Sequence, residues 1–121
     1  MSRGWIGVDL DGTLAEYDSW KGAAHIGKPI EPMVARVRKW LAEDRDVRIF
    51  TARVSHNGTS DRIVEAEHAR NAIEAWCLKH LGRILPVTNV KDYAMISLWD
   101  DRCVQVKPNT GLPVSAADAH D

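Results

Sequence analysis

The chain has 121 residues, of which 27% are charged and 45% hydrophobic, and its formal net charge is −1. That length fits one domain able to bury a core without disulfides or zinc. The near-neutral balance argues against a dedicated nucleic-acid or membrane-surface binder, which would carry a strong basic excess, and no apolar run approaches the ~18 residues of a membrane span. The opening stretch, MSRGWIGVDLDG, has two acids inside its only apolar run and does not read as a signal peptide. Cys77 and Cys103 have no metal-type spacing. Both are expected to be reduced core thiols of a cytoplasmic protein.

Along the chain, residues 5–10 (WIGVDL) predict a buried strand ending in acid. Residues 12–30 hold no sustained period and predict a long loop or a small hairpin flap over 15–29. Tyr17, Trp20, Lys21, His25 and Lys28 lie in that flap. Substrate contact is open to them, but the two aromatics are expected chiefly to pack the flap down. Pro32, with Glu31 in the first turn, starts a helix over 32–43 whose apolar face is Met33, Val34, Val37, Trp40 and Leu41. Residues 46–51 (DVRIFT) predict a strand. After a polar loop, Thr59 or Ser60 caps a helix over 61–81. Its apolar face includes Ile63, Ala66, Ala69, Ile73, Trp76, Cys77 and Leu81, its charged run 61–70 is solvated, and Gly82 ends it. Residues 84–88 (ILPVT) predict a short strand weakened by Pro86, residues 95–99 (MISLW) a buried strand, and residues 103–106 (CVQV) an edge strand. Residues 108–121 read as a flexible tail, which leaves 1–107 as the single domain.

Strands alternating with amphipathic helices imply an α/β fold, a Rossmann-like doubly wound, mainly parallel sheet of about five strands. Such sheets bind ligands at the carboxyl ends of their strands. Asp9 and Asp11 end the first strand, Thr51 and Arg53 the second, and Asp100 and Asp101 the strand at 95–99, while Lys91 follows the short one. Carboxylates gathered in this way repel one another, and a divalent cation removes the conflict. Oxygen ligands suit Mg²⁺, which keeps positions open for water and phosphate oxygens. A hydroxyl and a cation beside it would complete a cradle for a phosphoryl group. One aspartate could attack phosphorus, and a second, two residues on, faces the same side and could handle the proton.

The run Asp9-Leu10-Asp11-Gly12-Thr13-Leu14 resembles the DxDGT(L) signature of the haloacid dehalogenase superfamily of phosphohydrolases. Phe50-Thr51-Ala52-Arg53 resembles its second motif and Leu98-Trp99-Asp100-Asp101-Arg102 its paired-acid fourth motif, with Lys91 placed as the third. The likeness covers about residues 4–106. It implies a Mg²⁺-dependent phosphatase with Asp9 as nucleophile and Asp11 as general acid and base. It also implies Mg²⁺ held by Asp9, the Asp11 backbone carbonyl and Asp100, with Asp101 binding directly or through water. Thr51 would bind a phosphate oxygen, and Lys91 would neutralise phosphoryl charge, with Arg53 as the alternative cation. Backbone N–H groups around Leu10 to Gly12 and at Ala52 would meet phosphoryl oxygens.

The family usually inserts a cap domain over its site, but the intervals from Asp11 to Thr51 and from Thr51 to Lys91 are too short for one. The chain therefore resembles capless members, whose open sites accept large substrates or borrow a lid from a neighbouring subunit in a homo-oligomer. The start of DGTLA, the Pro32-Met33-Val34 helix start and the DDR motif resemble the phosphatase half of phage-type polynucleotide kinases. This makes a phosphorylated small molecule, a nucleotide or a nucleic-acid end the expected partner, and a nucleotide or polynucleotide 3′-phosphatase acting on nucleic-acid ends the alternative activity. No GxxxxGK[ST] loop accompanies them, so no kinase half is expected. A phosphoacceptor receiver module would place its acid after the third strand, and residues 84–91 contain no Asp. A non-catalytic phosphate- or metal-binding protein of the same fold is the remaining alternative.

Overall fold

The structure, a computed structural model, describes residues 4–115. Strand β1 spans Trp5–Asp9, helix α1 Glu31–Ala42, strand β2 Asp46–Phe50, helix α2 Ser60–Leu81, strand β3 Val87–Thr88 and strand β4 Met95–Trp99. The four strands form one parallel sheet in the order β3-β2-β1-β4. The chain is thus α/β with an all-parallel sheet.

The helices begin and end where local chemistry directs. Pro32 occupies the first turn of α1, where its missing N–H costs nothing, and Met33, Val34, Val37 and Leu41 turn inward. Thr59 is the residue preceding α2, but its hydroxyl bonds Asn57 instead of capping the helix. Gly82 ends α2 in the left-handed region at φ 81, which a side chain would strain. Both helices pack on the sheet face that presents Ile6, Val8, Val47 and Ile49, and Ile73 and Cys77 of α2 complete that core.

The opposite face carries no helix among the described residues. Trp5 is fully buried there. The Arg48 guanidinium lies 4.7 Å over its ring, Phe50 stacks at 6.5 Å, and its indole N–H donates to Asp92 at 2.7 Å. Asp92 belongs to the link from β3 to β4, so a loop crosses this face where the doubly wound expectation puts a helix. With so short a link, from Thr88 to Met95, no helix fits.

Four other expectations are corrected. Residues 103–106 do not join the sheet. Instead, Val106 bridges Pro113, and hydrogen bonds from Lys107 to Leu112 and from Val114 to Gln105 fold 105–114 into a small turn, so part of the expected tail is structured. Cys77 is buried but Cys103 is exposed. Ile63 is exposed because the first turns of α2 overrun the core. Residues 116–121 of the tail lie outside the described residues. No helix is long and apolar enough to cross a membrane, among the described residues.

Candidate active site

Register aligns the strand ends. Asp9 of β1 lies opposite Phe50 of β2, and Val8 opposite Trp99 of β4. The next residues, Thr51 and Asp100, therefore emerge beside Asp9 and Asp11 at the carboxyl edge. An open cleft of about 620 Å³ lies there, lined by Asp9, Asp11, Thr51, Ala52, Arg53, Asp100 and Asp101, among others.

Asp9, Asp100 and Asp101 each offer a carboxylate oxygen within 4.8 Å of the others. Burial, reinforced by the charges of Asp100 and Asp101, pushes the Asp9 carboxyl up to about 7, while a hydrogen bond from Thr13 opposes the rise. Thr13 also joins the two acidic loops. Its hydroxyl lies 3.2 Å from Asp9 Oδ2 and 3.3 Å from Asp101 Oδ1, and it accepts from the Asp101 N–H at 3.0 Å. Sequence reasoning did not single out Thr13; the threonine closing the DxDGT run was the available signal.

Gly12 has φ +87, and a Cβ there would strike the Asp101 carboxylate. Only glycine lets the two acidic loops meet this closely. The expected contact between the Gly12 N–H and a phosphoryl oxygen is not free to form, because that N–H donates to Ala15 O at 2.8 Å. The leucine side chain at position 10 is fully buried, and its carbonyl accepts from the N–H groups of Thr13, Leu14 and Ala15. The three carboxylates, the raised Asp9 and the clearance at Gly12 together fit a hard divalent cation, and an all-oxygen donor set suits Mg²⁺.

Asp11 turns away from this triad. Arg53 Nε and Nη2 donate to its two oxygens, each at 2.8 Å, and the arginine side chain is only 5% exposed. Arg53 Nη1 donates to His25 O at 2.8 Å, and its guanidinium carbon lies 4.9 Å over the Trp20 ring. Arg53 is thus engaged chiefly by Asp11 and the flap, although it also lines the cleft. Thr51 is buried at the base of the cleft, where its hydroxyl accepts from the Arg53 N–H at 3.2 Å and fixes the turn Ala52–Val54.

Lys91 is exposed and does not line the cleft. Its neighbour Asp92 is bonded to Trp5 at the amino end of β1, so the link has already left the carboxyl edge by position 91. Cations that do line the cleft are Arg53, Arg62 and Arg102. Arg62 and Glu65, read from sequence as part of a solvated helix face, border it because α2 begins above the strand ends.

The flap closes at its base. Glu16 N donates to Lys28 O and Ile30 N to Leu14 O, both at 2.8 Å, and the Trp76 indole on α2 holds Gly27 O at 3.0 Å. Tyr17 and Trp20 do not pack the flap down. They are 49% and 51% exposed, and both line the cleft.

Compared with protein-family models, with curated proteins and with solved structures, the chain returns no match. Any functional reading therefore rests on the residues of the site.

Proposed function

We propose that the chain is a capless phosphatase of the haloacid dehalogenase type, hydrolysing a phosphomonoester through an aspartyl-phosphate on Asp9. The observation that carries this reading is the triad of Asp9, Asp100 and Asp101 within 4.8 Å at the carboxyl edge of a parallel sheet, with Asp11 two residues from Asp9 on the same cleft. The ordered match of three motifs to that family adds to it.

Asp9, Asp100 and Asp101 would hold Mg²⁺, together with the Asp11 carbonyl. The ion would relieve the repulsion that raises Asp9 and draw phosphoryl oxygens toward the cleft. An Asp9 oxygen then forms a bond to phosphorus as the ester P–O bond breaks, and Asp11 passes a proton to the departing oxygen. In the second half, Asp11 takes a proton from water, the water oxygen bonds to phosphorus, and the Asp9–phosphorus bond breaks to release phosphate. Arg53 positions Asp11 for both transfers. Each Asp11 oxygen retains a lone pair beyond the one facing the guanidinium; the transferred proton would sit on one of these, go to the leaving oxygen in the first half and be regained from water in the second. Thr51 would hold a phosphoryl oxygen at the cleft floor. The neutralising role expected of Lys91 falls in this reading to Arg62 and Arg102.

Hydrolysis of p-nitrophenyl phosphate tests the reading. Turnover should require Mg²⁺, stop with chelator and be lost in Asp9→Asn. Metal binding without turnover across a broad phosphoester panel would instead favour the non-catalytic alternative.

A further inference from the structure

We propose that Trp76, a core residue of α2, is a positioning residue for the proton-transfer step, acting on Asp11 through the flap and Arg53. The inference deepens the phosphatase reading and rests on it for the reaction, but the relay itself stands on contacts that need no activity.

The Trp76 ring is 7% exposed and does not line the cleft. Beside Ile73 and Cys77 it packs as an ordinary core side chain. Its indole N–H does more. A buried donor left unpaired costs about 1–3 kcal/mol, and this one donates to Gly27 O at 3.0 Å. Helix α2 thereby grips the returning leg of the flap. Ile26 packs against the core next to it, and a Cβ at position 27 would strike the Glu16 carbonyl on the other leg. These contacts fix His25, two residues before Gly27, relative to α2. The His25 carbonyl accepts from Arg53 Nη1 at 2.8 Å, and Ala23 O accepts from the same nitrogen at 3.4 Å. A guanidinium is planar and rigid, so holding Nη1 sets the direction of its Nε–Nη2 edge. That edge makes both hydrogen bonds to Asp11. The indole thus helps to aim a carboxyl group it never touches, and proton transfer depends steeply on such aim.

Leaving-group chemistry reads the acid by itself. A departing alkoxide needs the Asp11 proton, whereas p-nitrophenolate leaves readily without it. The ratio of kcat/KM for glycerol 3-phosphate to that for p-nitrophenyl phosphate should fall about 3- to 10-fold in Trp76→Phe. That variant keeps an aromatic ring beside His80 but has no donor. Gly27→Ala, which leaves the α2 core untouched, takes its place with the same expected fall if Trp76→Phe does not fold. In an Arg53→Gln background the substitution should lower the ratio no further, because the relay is already cut. An unchanged ratio, or an equal fall with and without Arg53, would overturn the proposal. Exchange of the Arg53 Nε proton, read by NMR with no substrate present, separates this failure from failure of the phosphatase reading. It should quicken at least about threefold in the same variant. Equal exchange would overturn the relay whatever the activity. Faster exchange in a protein without turnover would keep the relay and remove the phosphatase reading.

Discussion

Arg53 and Asp11 meet through two hydrogen bonds of 2.8 Å each, forty-two residues apart in the chain. The pair is asymmetric in exposure, with the arginine 5% and the aspartate 21% open to solvent. Its planar fork matches both carboxylate oxygens at once, which a lysine cannot do.

Removing the fork leaves the Asp11 oxygens with no side-chain donor among the described residues. Arg53→Gln should cost about 2–3 kcal/mol in denaturant unfolding, less than the ~3–5 kcal/mol of a fully buried broken pair because Asp11 is partly solvated. Arg53→Lys should recover only part of that loss. Hydrogen exchange should also quicken in residues 16–28, since Arg53 holds the carbonyls of Ala23 and His25. A stability change without faster exchange in the flap would show that Arg53 does not tether it.

Asp9 gives the metal-free protein a pH dependence of definite sign. Burial and the neighbouring acids push its carboxyl up to about 7 in the fold, from 3.8 in a free side chain. Between those values the unfolded chain releases this proton first and so binds fewer protons, and stability falls as pH rises through the window. Below about pH 4 the penalty is absent, and above about pH 7 it is fully present. The wild type should therefore lose Tm relative to Asp9→Asn between pH 5 and 8 in chelator, and Mg²⁺ should restore it at pH 8. Parallel Tm profiles for the two proteins would contradict this.

Gly12→Ala tests the closeness of the two acidic loops. A side chain at φ +87 costs about 1–2 kcal/mol, and its Cβ also displaces the Asp101 carboxylate. Calorimetry should show Mg²⁺ affinity reduced at least about tenfold, by analogy with other disturbed ligand shells. Unchanged affinity would mean Asp101 does not reach the ion.

Lys91 and Arg102 separate the sequence expectation from the geometry. Lys91 lies outside the cleft and Arg102 lines it. Lys91→Ala should change kcat/KM by less than about twofold, whereas Arg102→Ala should lower it by about tenfold or more, the scale of a lost charged contact. The reverse ranking would return Lys91 to the site.

Much of the fold was legible because it is written in local periods. The spacing of Met33, Val34, Val37 and Leu41 and the glycine at position 82 define α1 and the end of α2 almost to the residue. The acids at strand ends were legible because parallel strands deliver whatever follows them to one edge. Relations between distant side chains were not legible. Arg53 looks from sequence like a spare phosphate cation, and only the folded flap shows that most of its donors go to Asp11 and to flap carbonyls. Lys91 was misplaced because the link's path depends on Asp92 binding Trp5, a contact between residues 87 positions apart. The exposure of Tyr17 and Trp20 was hidden for the same reason, since no local rule tells an aromatic in a loop whether a neighbouring element will cover it.

The central claim is that phosphorus passes through Asp9, and the most direct measurement is to trap it there. Protein quenched during turnover of a phosphomonoester with Mg²⁺ and then reduced with borohydride should carry homoserine at position 9, found by peptide mass spectrometry. The same treatment of Asp9→Asn should yield none. Turnover with no modified residue at position 9, or undiminished hydrolysis by Asp9→Asn, would contradict the account.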